Sequence, residues 1–314
     1  MDILKRTSLT LTLILVAGPL PHAFAEVDLS GSWQARNQQD AMQRGPGPYP
    51  VDYTGLPLNQ EGRANALSFS QSTLSTIEHQ CAYYQPTYVL FGPQGLRIWT
   101  ETDAVNGTTV AIKIGAANDR APITIWMDGR PHPSKNAPHL IGGFTTGSWE
   151  GDVLVFYTTH MKSGYIRRNG APASDETALT GYLSRHGDIL TMLGIIEDPI
   201  YLSEPLLITR TFQLVTRAIR PLDTPCIRGY EGGPSEGSVA QYLPGQNPFI
   251  GELTNLYHIP REAVLGGAET MYPDYRKKLK SDFVRPDKCT LNCGGPGRGG
   301  LGAAVAAPAA APGR

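Results

Sequence analysis

The chain has 314 residues with 27 basic against 28 acidic side chains, a formal net charge of −1, so it lacks the excess of either sign that a polyanionic or polycationic partner would select. No segment beyond the N-terminus is continuously apolar over the ~20 residues that a membrane-spanning helix needs, which sets aside a polytopic membrane protein. With 35 glycines and 26 prolines, turns must be frequent and long helices few.

Lys5 and Arg6 form a short positive start, residues 9–17 an apolar stretch too short to span a bilayer, and Ala23-Phe24-Ala25 a small-x-small cleavage site. Residues 1–25 therefore read as an export signal, with Glu26 as the first residue of a periplasmic or secreted protein that keeps no membrane anchor. Removing Asp2, Lys5 and Arg6 moves the net charge only to about −2. The nearest thing to a basic stripe, Arg276-Lys277-Lys278-Leu279-Lys280, suits the C-terminal end of a helix better than a nucleic acid. Export also makes disulfides the expected state of Cys81, Cys226, Cys289 and Cys293. Of the three possible pairings, Cys81 with Cys226 and Cys289 with Cys293 is preferred, because it ties an early loop to the segment after the strands and closes a small loop near the C-terminus. The spacing Cys289-x-x-x-Cys293, without a nearby histidine, does not fit a zinc site.

Leu29-Ser30-Gly31-Ser32-Trp33 opens a first strand, and Gly45-Pro46-Gly47-Pro48 follows as irregular loop. Residues 59–66 predict a short helix with Asn59 as its cap. Residues 87–91, 96–101, 108–114 and 123–127 are β-branched or aromatic runs, with Asn106-Gly107 as a turn. Two hairpins come next: residues 141–149 and 152–158 flank Glu150-Gly151, and residues 177–185 and 189–197 flank His186-Gly187-Asp188. Residues 206–215 close the series. Short strands with little helix between them predict a mainly β fold, an antiparallel meander that closes into a barrel over residues 26–217. Residues 218–288 predict a loop and a helical C-terminal cap packed on the barrel, with Pro260 at a helix start and breaks at Gly266-Gly267 and Tyr272-Pro273. The Gly/Ala/Pro-rich residues 289–314 carry too little apolar bulk to offset the entropy of ordering and predict a disordered tail.

The Gly31-Ser32-Trp33 start ahead of such a meander resembles the lipocalin and wider calycin architecture, in which a G-x-W on the first strand packs the base of the barrel. The stretch from Trp126-Met127-Asp128-Gly129-Arg130-Pro131-His132-Pro133 through Trp149-Glu150-Gly151-Asp152 to Glu197-Asp198-Pro199 resembles a family of secreted bacterial proteins that brings no activity with it. The Pro/Gly insertion after the first strand, the early helix and the helical C-terminus depart from the lipocalin pattern.

The candidate chemistry concentrates between His160 and Glu204. The connection after residue 158 carries His160, Tyr165, Arg167 and Arg168, an imidazole, a phenol and two guanidiniums able to hold a carboxylate or phosphate. Either or both arginines have an alternative role, pinning the loop to Asp175 and Glu176. Glu197-Asp198-Pro199-Ile200-Tyr201 is stiffened by proline and presents two carboxylates and a phenol, with capping of the turn as the alternative for Asp198. Asp128 and His132 sit in a rigid turn where ligand groups also collect, Arg130 reads as a surface partner, and Glu150 with Asp152 as turn chemistry. His132, His139, His160 and His186 show no metal-ligand spacing, and no serine-hydrolase, Walker or dinucleotide motif is present. The expected function is therefore a cofactor-free, metal-free exported enzyme acting on a small, partly apolar molecule by acid/base chemistry. His160, Glu197, Tyr201 and Tyr165 would be catalytic, and Arg167, Arg168, Asp198, Asp128 and His132 substrate-binding. The alternative is a barrel that binds such a molecule without turnover.

Overall fold

The computed structural model describes residues 27–36, 48–77, 79–81, 84–92, 95–116, 122–219, 227–229 and 239–279. Nine strands form a closed barrel: β1 (Gly31–Ala35), β2 (Leu96–Thr102), β3 (Thr109–Ala116), β4 (Ile123–Trp126), β5 (Phe144–Glu150), β6 (Val153–Thr159), β9 (Ala178–His186), β10 (Ile189–Glu197) and β11 (Leu206–Val215). β7 (Gly164–Tyr165) and β8 (Pro172–Ala173) make a separate two-stranded pair inside the β6–β9 connection. The order round the barrel is β1-β11-β10-β9-β6-β5-β4-β3-β2.

The mainly β barrel follows from alternation, visible in β10, where Leu190, Met192, Gly194 and Ile196 turn inward and are buried. Two local expectations change. Residues 87–91 are not a strand, because Pro86 starts a helical turn, α2 (Pro86–Val89), with its φ already set for helix. The meander is also not wholly antiparallel: residues 127–143 run back along the barrel, so that β4 and β5 pair parallel through Ile125↔Thr145 and Trp126↔Thr146. Elsewhere Gly151 and Gly187 take the positive φ, 64° and 59°, that the two tight hairpins demand. The first helix is α1 (Gln60–Ser68), capped by the Asn59 side chain, which accepts from the Gly62 amide at 2.8 Å.

The barrel has a plain end and a dressed end. The hairpins β2–β3, β5–β6 and β9–β10 turn at one end, which we call lower; the segment after β1 and the β6–β9 and β10–β11 connections leave from the other. α2 and Phe91 cover this upper end. The C-terminal elements are α3 (Glu252–Tyr257), α4 (Arg261–Val264) and α5 (Pro273–Lys278), and their part of the chain bonds to the segment between β1 and α2. The Tyr53 amide donates to Val264, Gly267 donates to Leu56, and Asn247 donates to Leu67. The tail beyond residue 279 lies outside the described residues.

The barrel axis is filled by side chains. Trp33, Leu96, Ile98, Ile114, Ile125, Phe156 and Phe212 are fully buried there, and Trp33 donates its indole N–H to the Leu29 carbonyl at 2.9 Å. The charge on the inward row of β11, Arg210, is wholly buried and partnered. Two glycines make room for aromatic rings: a Cβ at Gly181 would lie 2.0 Å from Phe156 Cζ, and one at Gly194 would lie 2.2 Å from Phe91 Cζ. Gly181→Ala should therefore lower the unfolding free energy by about 1–3 kcal/mol through overpacking, read from urea denaturation. Gly142→Ala, where nothing lies within 4 Å, should change little, and adding Phe156→Leu to Gly181→Ala should recover part of the loss. A Gly181→Ala protein within about 0.5 kcal/mol of wild type would contradict this packing.

Candidate functional site

All nine residues singled out for catalysis or binding stand in connections or strand ends; six belong to the two upper connections, and Glu197 ends β10 beside them. Their bonds nevertheless run in different directions. His160 follows β6 with φ of 57°, in the left-handed region that histidine enters more readily than most residues, and its two ring nitrogens are both bonded there. Nδ1 lies 2.8 Å from Thr159 Oγ1 and Nε2 3.0 Å from the Ser134 carbonyl. Glu197 ends β10 exposed to solvent, opposite Ala178 in the ladder. His160 and Glu197 thus share the upper end, but among the described residues no hydrogen bond joins them.

Tyr201 turns toward α1, where its hydroxyl is 3.4 Å from Asn65 Nδ2. Burial pushes its phenol up, with Asp198, Glu61 and Asp175 adding to the effect. Tyr165 packs edge-on against Phe69 at 5.2 Å, and burial with Tyr84 raises its phenol as well. Neither phenol is primed to give up a proton near neutrality.

Asp198 corrects the expectation of a ligand group. It is buried and accepts from the Ser174 amide at 2.7 Å, the Ser174 hydroxyl at 2.9 Å and the Thr177 hydroxyl at 2.8 Å. It also accepts from the amides of Ile200 at 2.9 Å and Tyr201 at 3.0 Å. Five protein donors leave its oxygens no room for a substrate and fasten the β10–β11 connection to the start of β9. Asp128 is likewise spent: it holds Arg130, whose guanidinium lies 3.6 Å over the Trp126 ring. That pair holds its carboxyl below the usual carboxylate range. His132 bonds Thr146 Oγ1 at 2.8 Å and Thr159 Oγ1 at 3.0 Å on the outer face of β5 and β6, away from any cavity at the mouth.

Arg167 and Arg168 do meet a cavity. A space of about 350 Å³ opens at the upper end between α2 and the β10–β11 wall, lined by Tyr88, Phe91, Ile166, Leu206 and Ile208 together with the two arginines. A smaller one, about 190 Å³, lies at the lower end beside Trp149. The arginines differ. Arg167 is half-buried and lies near Asp52, whose carboxyl is pushed up by burial while Arg167 pulls it down. Arg168 is exposed and sits beside Tyr88; burial raises that phenol, and Arg168 acts in the opposite sense. Asp52, Tyr88 and Phe91 were missed in the sequence: Asp52 stands in a loop without a motif, and the other two looked like strand.

Of the four cysteines, Cys81 alone is among the described residues, and it is not a free thiol. Cys226, Cys289 and Cys293 lie outside them, and so does the choice of pairing. No group of three or more metal-binding side chains with suitable geometry occurs among the described residues. Comparison of the chain with family models, curated proteins and solved structures finds no match, so function rests on the site itself.

Removing the Asp198 carboxylate should cost stability rather than ligand affinity. Asp198→Ala strands several buried donors and should lower the unfolding free energy by at least about 2 kcal/mol. Glu197→Gln, at an exposed position, should stay within about 0.5 kcal/mol of wild type in the same urea titration. Equal effects at the two positions would contradict the assignment.

Proposed function

We propose that the protein is an exported β-barrel that binds a small amphipathic anion at its upper mouth and releases it unchanged. One observation carries the reading: an exposed guanidinium, Arg168, shares with Tyr88 the lining of a cavity whose walls include Phe91, Ile166, Leu206 and Ile208. Apolar walls with a few convergent polar groups at one side suit a molecule with one charged and one apolar end. Arg168 would hold a carboxylate or phosphate head, Tyr88 would donate a hydrogen bond to it, and Arg167, already balanced by Asp52, would fix the loop. A volume of about 350 Å³ fits a short chain or single ring system.

Acid/base turnover has less support. Of the groups expected to move protons, His160 bonds to Thr159 and Ser134, Tyr201 to Asn65, and Tyr165 packs its ring on Phe69. Export, read from residues 1–25, belongs to the same proposal and would place Cys81 in a disulfide.

Decanoate, decanol and decylamine, titrated calorimetrically against the purified protein, test the reading. Decanoate should bind best, and Arg168→Gln should weaken it at least tenfold, about 1.4 kcal/mol, with little effect on decanol. Mass spectrometry should recover decanoate intact. Binding of decanoate that is indifferent to Arg168→Gln, or no discrimination among the three headgroups, would overturn the proposal.

A further inference from the structure

A row of alternating histidines and threonines on the outside of the barrel has a fixed order of proton donation. His160 Nε2 lies 3.0 Å from the Ser134 carbonyl, which can only accept, so that nitrogen carries the proton. In a neutral imidazole the other nitrogen then accepts, and at 2.8 Å the Thr159 hydroxyl must donate to His160 Nδ1. Having given its one proton, Thr159 Oγ1 accepts from His132 Nδ1–H at 3.0 Å. His132 Nε2 is left as an acceptor for the Thr146 hydroxyl at 2.8 Å. With both rings neutral every donor finds an acceptor, in this one order.

The row ties three parts of the chain together. Thr146 is on β5, Thr159 and His160 end β6, and His132 with Ser134 belongs to the crossover of residues 127–143. A second tie lies beside it: His139 Nδ1 donates to the Met161 carbonyl at 2.9 Å, with its ring 5.2 Å from that of His160. Backbone bonds continue the seam, from the Leu140 amide to His160 at 2.9 Å and from the Lys162 amide to Leu140 at 2.9 Å. The crossover lies over the one parallel pairing in the barrel, β4 with β5, which is registered at only two residue pairs.

We infer that these histidines form an acid-operated clasp, closed while at most one ring is charged and released when a second is protonated, which frees the crossover from the outer face of β5 and β6. A single proton on His160 Nδ1 only reverses the row, with Thr159 donating to His132 Nδ1 and His132 Nε2–H to Thr146; a second proton leaves Thr159 Oγ1 between two N–H donors and sets two charges on one row. The titratable and charged groups that face the row do not compensate. His132 meets the rings of Phe144 at 5.2 Å and Tyr157 at 5.1 Å, and His160 meets His139. Lys135 and Lys162, exposed neighbours of Ser134 and Met161, are positive, and no carboxylate bonds to the row among the described residues. Burial and the neighbouring His160 hold His132 below the usual histidine range, opposed by the Tyr157 backbone. A base depressed in the folded state contributes stability that is full above its unfolded value, about 6.5, and is lost as the pH falls through that value toward the folded one.

The test is hydrogen exchange by mass spectrometry on the full chain at about pH 7.5 and about pH 5, corrected for intrinsic rates and independent of any mouth ligand. Peptides covering residues 132–145 and 158–163 should lose protection at least tenfold at the lower pH, while the β9–β10 hairpin keeps its own. His132→Gln, whose amide can both accept and donate but does not charge, should retain most of that protection in acid; His160→Gln serves if the first variant folds poorly. Wild-type protection of the crossover that is unchanged between the two pH values, with ring titration confirmed by NMR, would overturn the proposal. So would a variant that loses protection in acid as fully as wild type.

Discussion

The structure depends on aromatic rings seated against bare backbone inside the barrel. Gly181 and Gly194, neighbours across the β9–β10 ladder, leave a gap on the inner wall that Phe156 fills from β6 and Phe91 fills from the covering segment. Phe91 comes from outside the sheet, so the cover is packed into the barrel wall itself. The same seating fills the axis with side chains, and a cavity of about 350 Å³ lies at the rim, where α2, the β6–β9 connection and the β10–β11 wall meet.

Polar groups near that rim divide between holding the chain and facing solvent. Asp198 pins the β10–β11 connection to β9, and the His132 row pins the crossover. A dense set of acids, bases and phenols in a sequence therefore does not by itself mark chemistry. Long connections leaving a barrel carry backbone and side-chain donors that must be bonded when buried, and titratable side chains meet that need as readily as threonine or serine.

The barrel was legible because alternation is local: a period of two along residues 189–197 and 206–215 sets which side chains face inward without knowledge of partners. The Asn59 cap and the hairpin glycines were legible for the same reason. The Pro86 helix was not, since Thr87 and Val89 carry strand preferences and only the proline argues otherwise. The parallel β4–β5 pair was not either, because the direction of a strand after a long connection is set by tertiary packing. For the site, Arg167 and Arg168 were identifiable as a pair, but their division of roles depends on Asp52 and Tyr88, more than seventy residues away in the chain. The tie of Asp198 to Ser174 and Thr177 depends in the same way on register between β9 and β10.

The central claim is that a ligand meets the mouth and not the axis. Methyl-labelled protein titrated with decanoate and followed by NMR tests it most directly. The account predicts progressive shifts at Ile166, Leu206 and Ile208, with Ile114, Leu154 and Leu183 on the inner wall unmoved. Shifts led by the inner-wall methyl groups would contradict it.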